Sequence, residues 1–227
     1  MRKRIVVFIT SIVALSPLLK AQIKDTLLWT VEGNAGLELV DFYHRSSAPE
    51  WNELAAKQND IVIPSMGFSM GVMASRKLGN DNYLGTGAMW VRKREQYNAD
   101  DLPEMLSMWN DYQWMSVPLM FRHLFDNNEQ REFYLEGGLS WNSIFQSKST
   151  YRTLGMNQSQ TVDIADGLRK GALSAHLKMG WQWDLPANWY GTAFVQGNYF
   201  FQSIGSQTTW GVHPWGCGMG IGLGKRK

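Results

Sequence analysis

Three residues in this sequence have the types to do chemistry. Asp41 and His44 lie at the far end of one strand-like segment, and His213 lies just before another. An imidazole beside a carboxylate can move protons, and it can also ligate a metal. If the first and last segments are neighbours, Asp41, His44 and His213 meet at one rim. The chemistry would then be hydrolysis of a lipid or peptide bond. Other signals are missing. No tight ligand spacing surrounds the histidines, and no nucleophile motif surrounds a serine. The glycines alternate along strands instead of opening helices, so no phosphate loop stands out. The simpler reading makes these residues rim polar groups, with no catalytic residue, no metal and no cofactor.

A second polar set follows from strand parity. In "REFYLEGGLSWNSIF", Phe133, Leu135, Gly137, Leu139 and Trp141 share one face, and Tyr134, Glu136, Gly138, Ser140 and Asn142 share the other. Alternation with period two marks a strand whose faces meet different surroundings. The same pattern recurs in "IVIPSMGFSMGVMAS" and "ALSAHLKMGWQW", and in "WGCGMGIGLG", where Trp215, Cys217, Met219, Ile221 and Leu223 oppose five glycines. The polar faces of the strand-like segments along the chain carry Glu32, Glu38, Arg122, Glu136, His176 and Lys178.

These residues need elements to position them. Eight strand-like segments cover roughly 28–43, 61–76, 83–96, 111–125, 132–146, 171–184, 188–203 and 214–225. The third, "YLGTGAMWVRKREQY", alternates less clearly. Connections at 77–82, 126–131 and 185–187 are short and turn-rich, while those at 44–60, 97–110, 147–170 and 204–213 are longer. Strict alternation of short and long fits an up-and-down barrel with tight turns at one rim and loops at the other. "SSAPEWNELAAKQ" reads as a helical turn inside the first loop, with a serine cap and Pro49 near the first helical position.

The surrounding solvent is read from the faces. A soluble, lipocalin-like barrel also alternates, with its apolar face inward. Here the polar faces mix Gly and Ser with a few charges, which suits a crowded polar interior. Aromatics gather near strand ends, at Trp29, Tyr43, Trp90, Trp114, Trp181, Trp183, Trp189, Tyr199 and Trp215. Interfacial girdles use Trp and Tyr this way. Each alternating stretch is about 10 residues, the reach of a tilted strand across the hydrocarbon core. The expected fold is therefore all-β: an eight-stranded antiparallel up-and-down transmembrane β-barrel with short periplasmic turns and longer extracellular loops. Phe133, Leu135, Leu139 and Trp141 are expected to face lipid. Arg122 and Glu136, equally spaced from their turn, are expected to meet inside it, with Glu32 close by. Lys178 and His176 are expected higher, opposite Glu38.

The first residues give a compartment. Basic Arg2, Lys3 and Arg4, the apolar run Ile5–Leu19 and a small-residue end at Ala21 read as a signal peptide over 1–21, leaving 22–227 as the barrel domain. That segment holds four of the 22 Lys and Arg and no acid, so the remainder carries 18 basic against 20 acidic residues, a net charge of −2. No basic surface for nucleic acid is implied. The single cysteine, Cys217, allows no internal disulfide.

Four stretches carry a resemblance. "WMSVPLMFRHLF", "LGTGAMWVRKR", "EFYLEGGLSW" and "GMGIGLGKRK" resemble strands of the PorT-like outer-membrane β-barrel family of Bacteroidota. The likeness covers most of the chain after residue 21. It implies an eight-stranded outer-membrane barrel set in outer-membrane lipid and placed there by the barrel-insertion machinery. It does not imply one function: a few members assist the type IX secretion system, which would give this chain protein partners in a secretion complex, and most are uncharacterised. The leading expectation is a non-enzymatic outer-membrane barrel acting through its loops or partners, in a secretion-accessory or structural role. The alternatives are the rim hydrolase at Asp41, His44 and His213, and a soluble periplasmic ligand-binding barrel.

Overall fold

The computed structural model describes residues 29–79, 81–101, 104–126, 131–155, 157–205 and 210–226. The signal peptide read over 1–21 lies outside them. The strands are β1 (Trp29–Ser46), β2 (Val62–Ile63), β3 (Ser65–Gly79), β4 (Asn82–Tyr97), β5 (Met105–Asp126), β6 (Arg131–Thr153), β7 (Gln160–Asp163), β8 (Ala172–Leu185), β9 (Trp189–Phe200) and β10 (Trp210–Arg226). Eight of them form an antiparallel ring in the order β1-β3-β4-β5-β6-β8-β9-β10, closed by β1 against β10. Closure gives every strand of the ring a paired neighbour on both sides, the condition for a sheet in lipid.

Burial follows parity. Along β1 exposed and buried residues alternate over nearly its whole length. The exposed parity is apolar: Leu37, Leu39, Met66, Val72, Leu119, Leu139, Leu177, Val195, Met219 and Ile221 all stand open on the outer wall. A continuous apolar band of this size in water would be an aggregation surface, and in a bilayer it is the lipid face. The buried parity carries Glu32, Glu38, Arg122, Glu136 and Lys178. The inside of β10 is almost bare. A Cβ on Gly224 would come within 2.2 Å of the Tyr190 ring, and one on Gly220 within 2.5 Å of the Phe194 ring. The glycine alternation of that strand therefore makes room for bulky neighbours reaching into a narrow lumen.

The barrel is taller than the sequence predicts at one side. β5 begins at Met105 and β6 runs to Thr153, where loops were expected, and β7 pairs with β6 beyond the ring. Above the lipid band both faces of a strand meet water, so alternation no longer marks it. Pro64 separates β2 from β3, and Pro118 interrupts the β4–β5 ladder between Thr86 and Met89 because it has no N–H to give. The Thr86 hydroxyl donates to the Pro118 carbonyl there at 2.7 Å. In the first loop a 3-10 turn at Pro49–Trp51 leads into α1 (Asn52–Ile61). No serine caps it. The residue at the cap of the 3-10 turn is Ala48 and that of α1 is Trp51, while Ser46 Oγ accepts from the Ala48 N–H.

Trp114 corrects the predicted girdle. It points inward, 1% exposed, and its ring meets Phe200 at 5.1 Å. The other aromatics of the set stand at least partly exposed.

Candidate functional site: a filled polar lumen

Five layers fill the barrel from the short-turn end upward. At the bottom, Arg226 reaches Asp184 at 2.7 Å and Glu132 at 3.3 Å, with its guanidinium 5.4 Å from the Tyr190 ring.

The second layer is a four-charge cluster. Arg122, Glu136 and Lys178 lie in one lateral row of β5, β6 and β8. Arg122 Nε donates to Glu136 Oε2 at 2.6 Å, and Lys178 Nζ meets Glu136 Oε1 at 3.2 Å. Across the lumen, Arg122 Nη1 donates to Glu32 Oε2 at 2.8 Å, and the Tyr190 hydroxyl donates to the same oxygen at 3.1 Å. Two acids meet two bases, and each buried charge has a partner, the arrangement burial demands. Tyr134 lies under the Arg122 guanidinium at 4.6 Å, and Phe194 lies 4.4 Å from Lys178 Nζ.

The third layer corrects one expectation. Glu38 is answered by Lys93 at 3.0 Å, not by Lys178. Gln196 and Asn198 donate to its two oxygens at 2.6 and 2.8 Å, and Lys93 also bonds Asn198. His176 pairs with Ser174 Oγ at 2.9 Å, and it bonds none of the acids. The reason is stagger. Rows in a tilted barrel rise from strand to strand, so residues at similar heights on distant strands cannot be matched from sequence alone.

Above this, Val40, Phe42, Val91, Trp114, Phe200, Ile204 and Val212 form a buried apolar plug. The top layer holds a polar cluster missed in the sequence reading. His44 Nε2 is 2.5 Å from Glu95 Oε1, while Tyr112 and Asn110 donate to Glu95 Oε2 at 2.7 and 2.8 Å. Lys93 and Glu95 were legible in principle. Val91, Lys93, Glu95 and Tyr97 share one parity of β4, but the outward residues between them, Arg92, Arg94 and Gln96, are also polar, so the alternation is masked.

The rim triad does not assemble. His44 points inward. Asp41 and His213 have the opposite parity and sit on the outer wall, where Asp41 Oδ1 accepts from Phe42 N at 2.8 Å and His213 Nδ1 is 3.0 Å from the Phe200 carbonyl. Strand parity separates them whatever their height. His123, near a turn on the outward parity of β5, bonds Asn82 Oδ1 at 2.9 Å.

Beyond Val40, where the β1–β3 ladder stops, α1 packs beside the upper end of β1. Asn59 of α1 accepts from His44 N at 2.7 Å and donates to His44 O at 2.9 Å. Replacing it, Asn59→Ala, removes both bonds. Roughly 1–2 kcal/mol of local stability should go, since each net bond is worth about 1. Limited proteolysis of the 46–61 segment should then run roughly tenfold faster. An unchanged rate would mean that the other ties of α1, among them the Asn98 N–H donating to the Ile61 carbonyl at 2.7 Å, suffice to hold it.

Among the described residues, two small gaps open on the lumen. One gap beside Glu136, His176 and Lys178 measures about 20 Å³, and one beside Arg122, Tyr190 and Arg226 about 10 Å³. Each has room for about one water.

No protein-family model matches the chain, and no curated protein matches it in sequence. Solved structures do. Outer membrane protein OprG from Pseudomonas aeruginosa aligns with a TM-score of 0.50 at 11% identity, over 87% of this chain and 95% of that one. Neisserial surface protein A aligns with a TM-score of 0.42 at 16% identity, over 87% and 98%. Ail of Yersinia pestis aligns with a TM-score of 0.36 at 13% identity, over 86% and 98%. The fold is that of the small outer-membrane β-barrels: all-β, up-and-down, with eight strands in the ring.

Proposed function

We propose that this protein is a non-catalytic, non-conducting outer-membrane barrel that works through its long-loop end and the protein partners that end engages. The observation that carries this is the filled lumen, charge-paired below and apolar above. A plugged wall, with Asp41 and His213 on the opposite face from His44 and the His44–Glu95 pair buried beneath the rim, leaves its outer surfaces to act. Measurement in a planar bilayer tests it. Purified full-length protein should give no steady conductance steps. Large, steady steps would overturn the proposal.

The PorT-like resemblance narrows the reading to a secretion-accessory component of type IX kind. The test is co-purification from outer membrane in mild detergent. Recovery of secretion-system components supports that role, and recovery of insertion machinery alone counts against it. The placement has its own check. Protease added to intact cells should cut within 44–60, 97–110, 147–170 or 204–213. Cleavage confined to 77–82 or 126–131 would invert the orientation.

A further inference from the structure

The outer wall is not uniformly ridged. At one place a row of side chains across five strands runs Leu177, Gly197, Cys217, Leu39 and Met66, each paired with the next. Large residues flank two small ones. The next row runs Met179, Val195, Met219 and Leu37. The result is an apolar groove of about 640 Å³ with Gly197, Cys217 and Gly218 at its floor.

The surroundings of the groove say what fills it. It lies within the apolar band, so the medium against it is hydrocarbon. Immediately above, Tyr199 pairs with Trp215 as a piece of the aromatic girdle, both exposed. Next comes the Tyr43–His213 pair, and then Arg45 opposite Gly211. Arg45 is exposed and makes no ion pair with the described residues. His213 Nδ1 is engaged by the Phe200 carbonyl, and Nε2 lies over Gly211, 3.0 Å from where a Cβ there would stand. Four residues of strand separate Leu39 from Tyr43 and His213, and six separate it from Arg45, about 13 and 20 Å along the strand at 3.3 Å each, or about 10 and 15 Å of depth for a strand tilted by about 40°. One leaflet of hydrocarbon is about 15 Å deep. The groove is thus one acyl chain below a cationic and imidazole-bearing rim. A second copy of the chain fits worse. Two-fold pairing would set groove against groove and leave a void between them.

We infer that this face holds one phosphate-bearing acyl lipid of the leaflet nearest the long loops, its chain in the groove over Gly197 and Cys217 and its phosphate at Arg45 and His213. This rests on the membrane placement of the outer wall but not on the closed lumen, so conductance and lipid retention can fail separately.

The test uses the full-length protein reconstituted in phosphatidylglycerol, released in mild detergent and weighed by native mass spectrometry. Wild type should retain one phosphatidylglycerol. Gly197→Leu fills the groove, and its Cβ meets nothing nearer than the Gly216 carbonyl at 3.9 Å, so the fold tolerates it. Retention should fall at least fivefold. Ala88→Leu, exposed on β4 at the far side of the ring, should leave retention unchanged. Diacylglycerol, which lacks the phosphate, should be retained several-fold less than phosphatidylglycerol, and Arg45→Gln should erase that difference. Retention by Gly197→Leu equal to wild type would overturn the inference. So would equal retention of diacylglycerol by wild type, or oxidative cross-linking of Cys217 into a dimer in the bilayer.

Discussion

Arg122→Ala should destabilise the barrel by roughly 3–5 kcal/mol, the usual cost of leaving a buried charge without its partner. Arg122 is 7% exposed and joins two acids that are 2% and 3% exposed, Glu32 and Glu136. Its removal strands Glu32 against the Tyr190 hydroxyl and a weaker Thr192 contact at 3.4 Å, while Glu136 keeps Lys178. Urea unfolding of protein refolded into vesicles measures the loss. The companion variant separates charge from volume. Arg122→Met with Glu32→Gln leaves one acid and one base, Glu136 and Lys178, and should recover more than half of the lost stability. A single-variant loss under about 1 kcal/mol would mean that water already screens the cluster.

Leu139→Arg should be the most damaging change on the outer wall. Leu139 is 53% exposed, in register with Leu119 and Ala175 in the middle of the apolar band. A cation there costs about 2–4 kcal/mol near the midplane. Folded yield in vesicles should drop by at least tenfold, about 1.4 kcal/mol per factor of ten. Ser140→Ala is the control. Ser140 is 1% exposed on the opposite face, and its hydroxyl has no hydrogen-bond partner among the described residues, so little is lost with it. Equal damage from both variants would overturn the assignment of faces. A membrane-confined label that reacts at position 140 and not at 139 would do the same.

Some of the molecule was legible because strands obey a local rule. Period two assigns every side chain of a strand to one face or the other, so a few charges on an otherwise small and polar parity point to a narrow interior. The Arg122–Glu136 pairing belongs to a single hairpin. Equal spacing from one turn fixes which residues stand opposite, and no distant strand enters the argument. The first-loop helix was legible from Pro49 and the helix formers after it, although its serine cap was not realised.

Other features were beyond local rules. His44 seemed to belong with Asp41 and His213 because all three lie near strand ends. Parity alone already puts His44 on one face and the other two on the opposite one, and proximity in height was mistaken for proximity in space. Trp114 looked like a girdle residue by type, yet parity places it in the plug. Polar residues on both faces of β4 hid Lys93 and Glu95.

By itself the sequence determined the class of strand, the number of segments in the ring, the inward and outward sets of the clearly alternating strands, and the short and long rims. Each of these depends on periodicity or on turn chemistry within a few residues. Only the tertiary structure decided which inward charges meet across the lumen, Glu32 with Arg122 and Glu38 with Lys93, and where the outer wall sinks into a groove. Both depend on the stagger with which eight tilted strands close into a ring. That stagger is a property of the whole sheet, set when β1 meets β10, and no single segment records it.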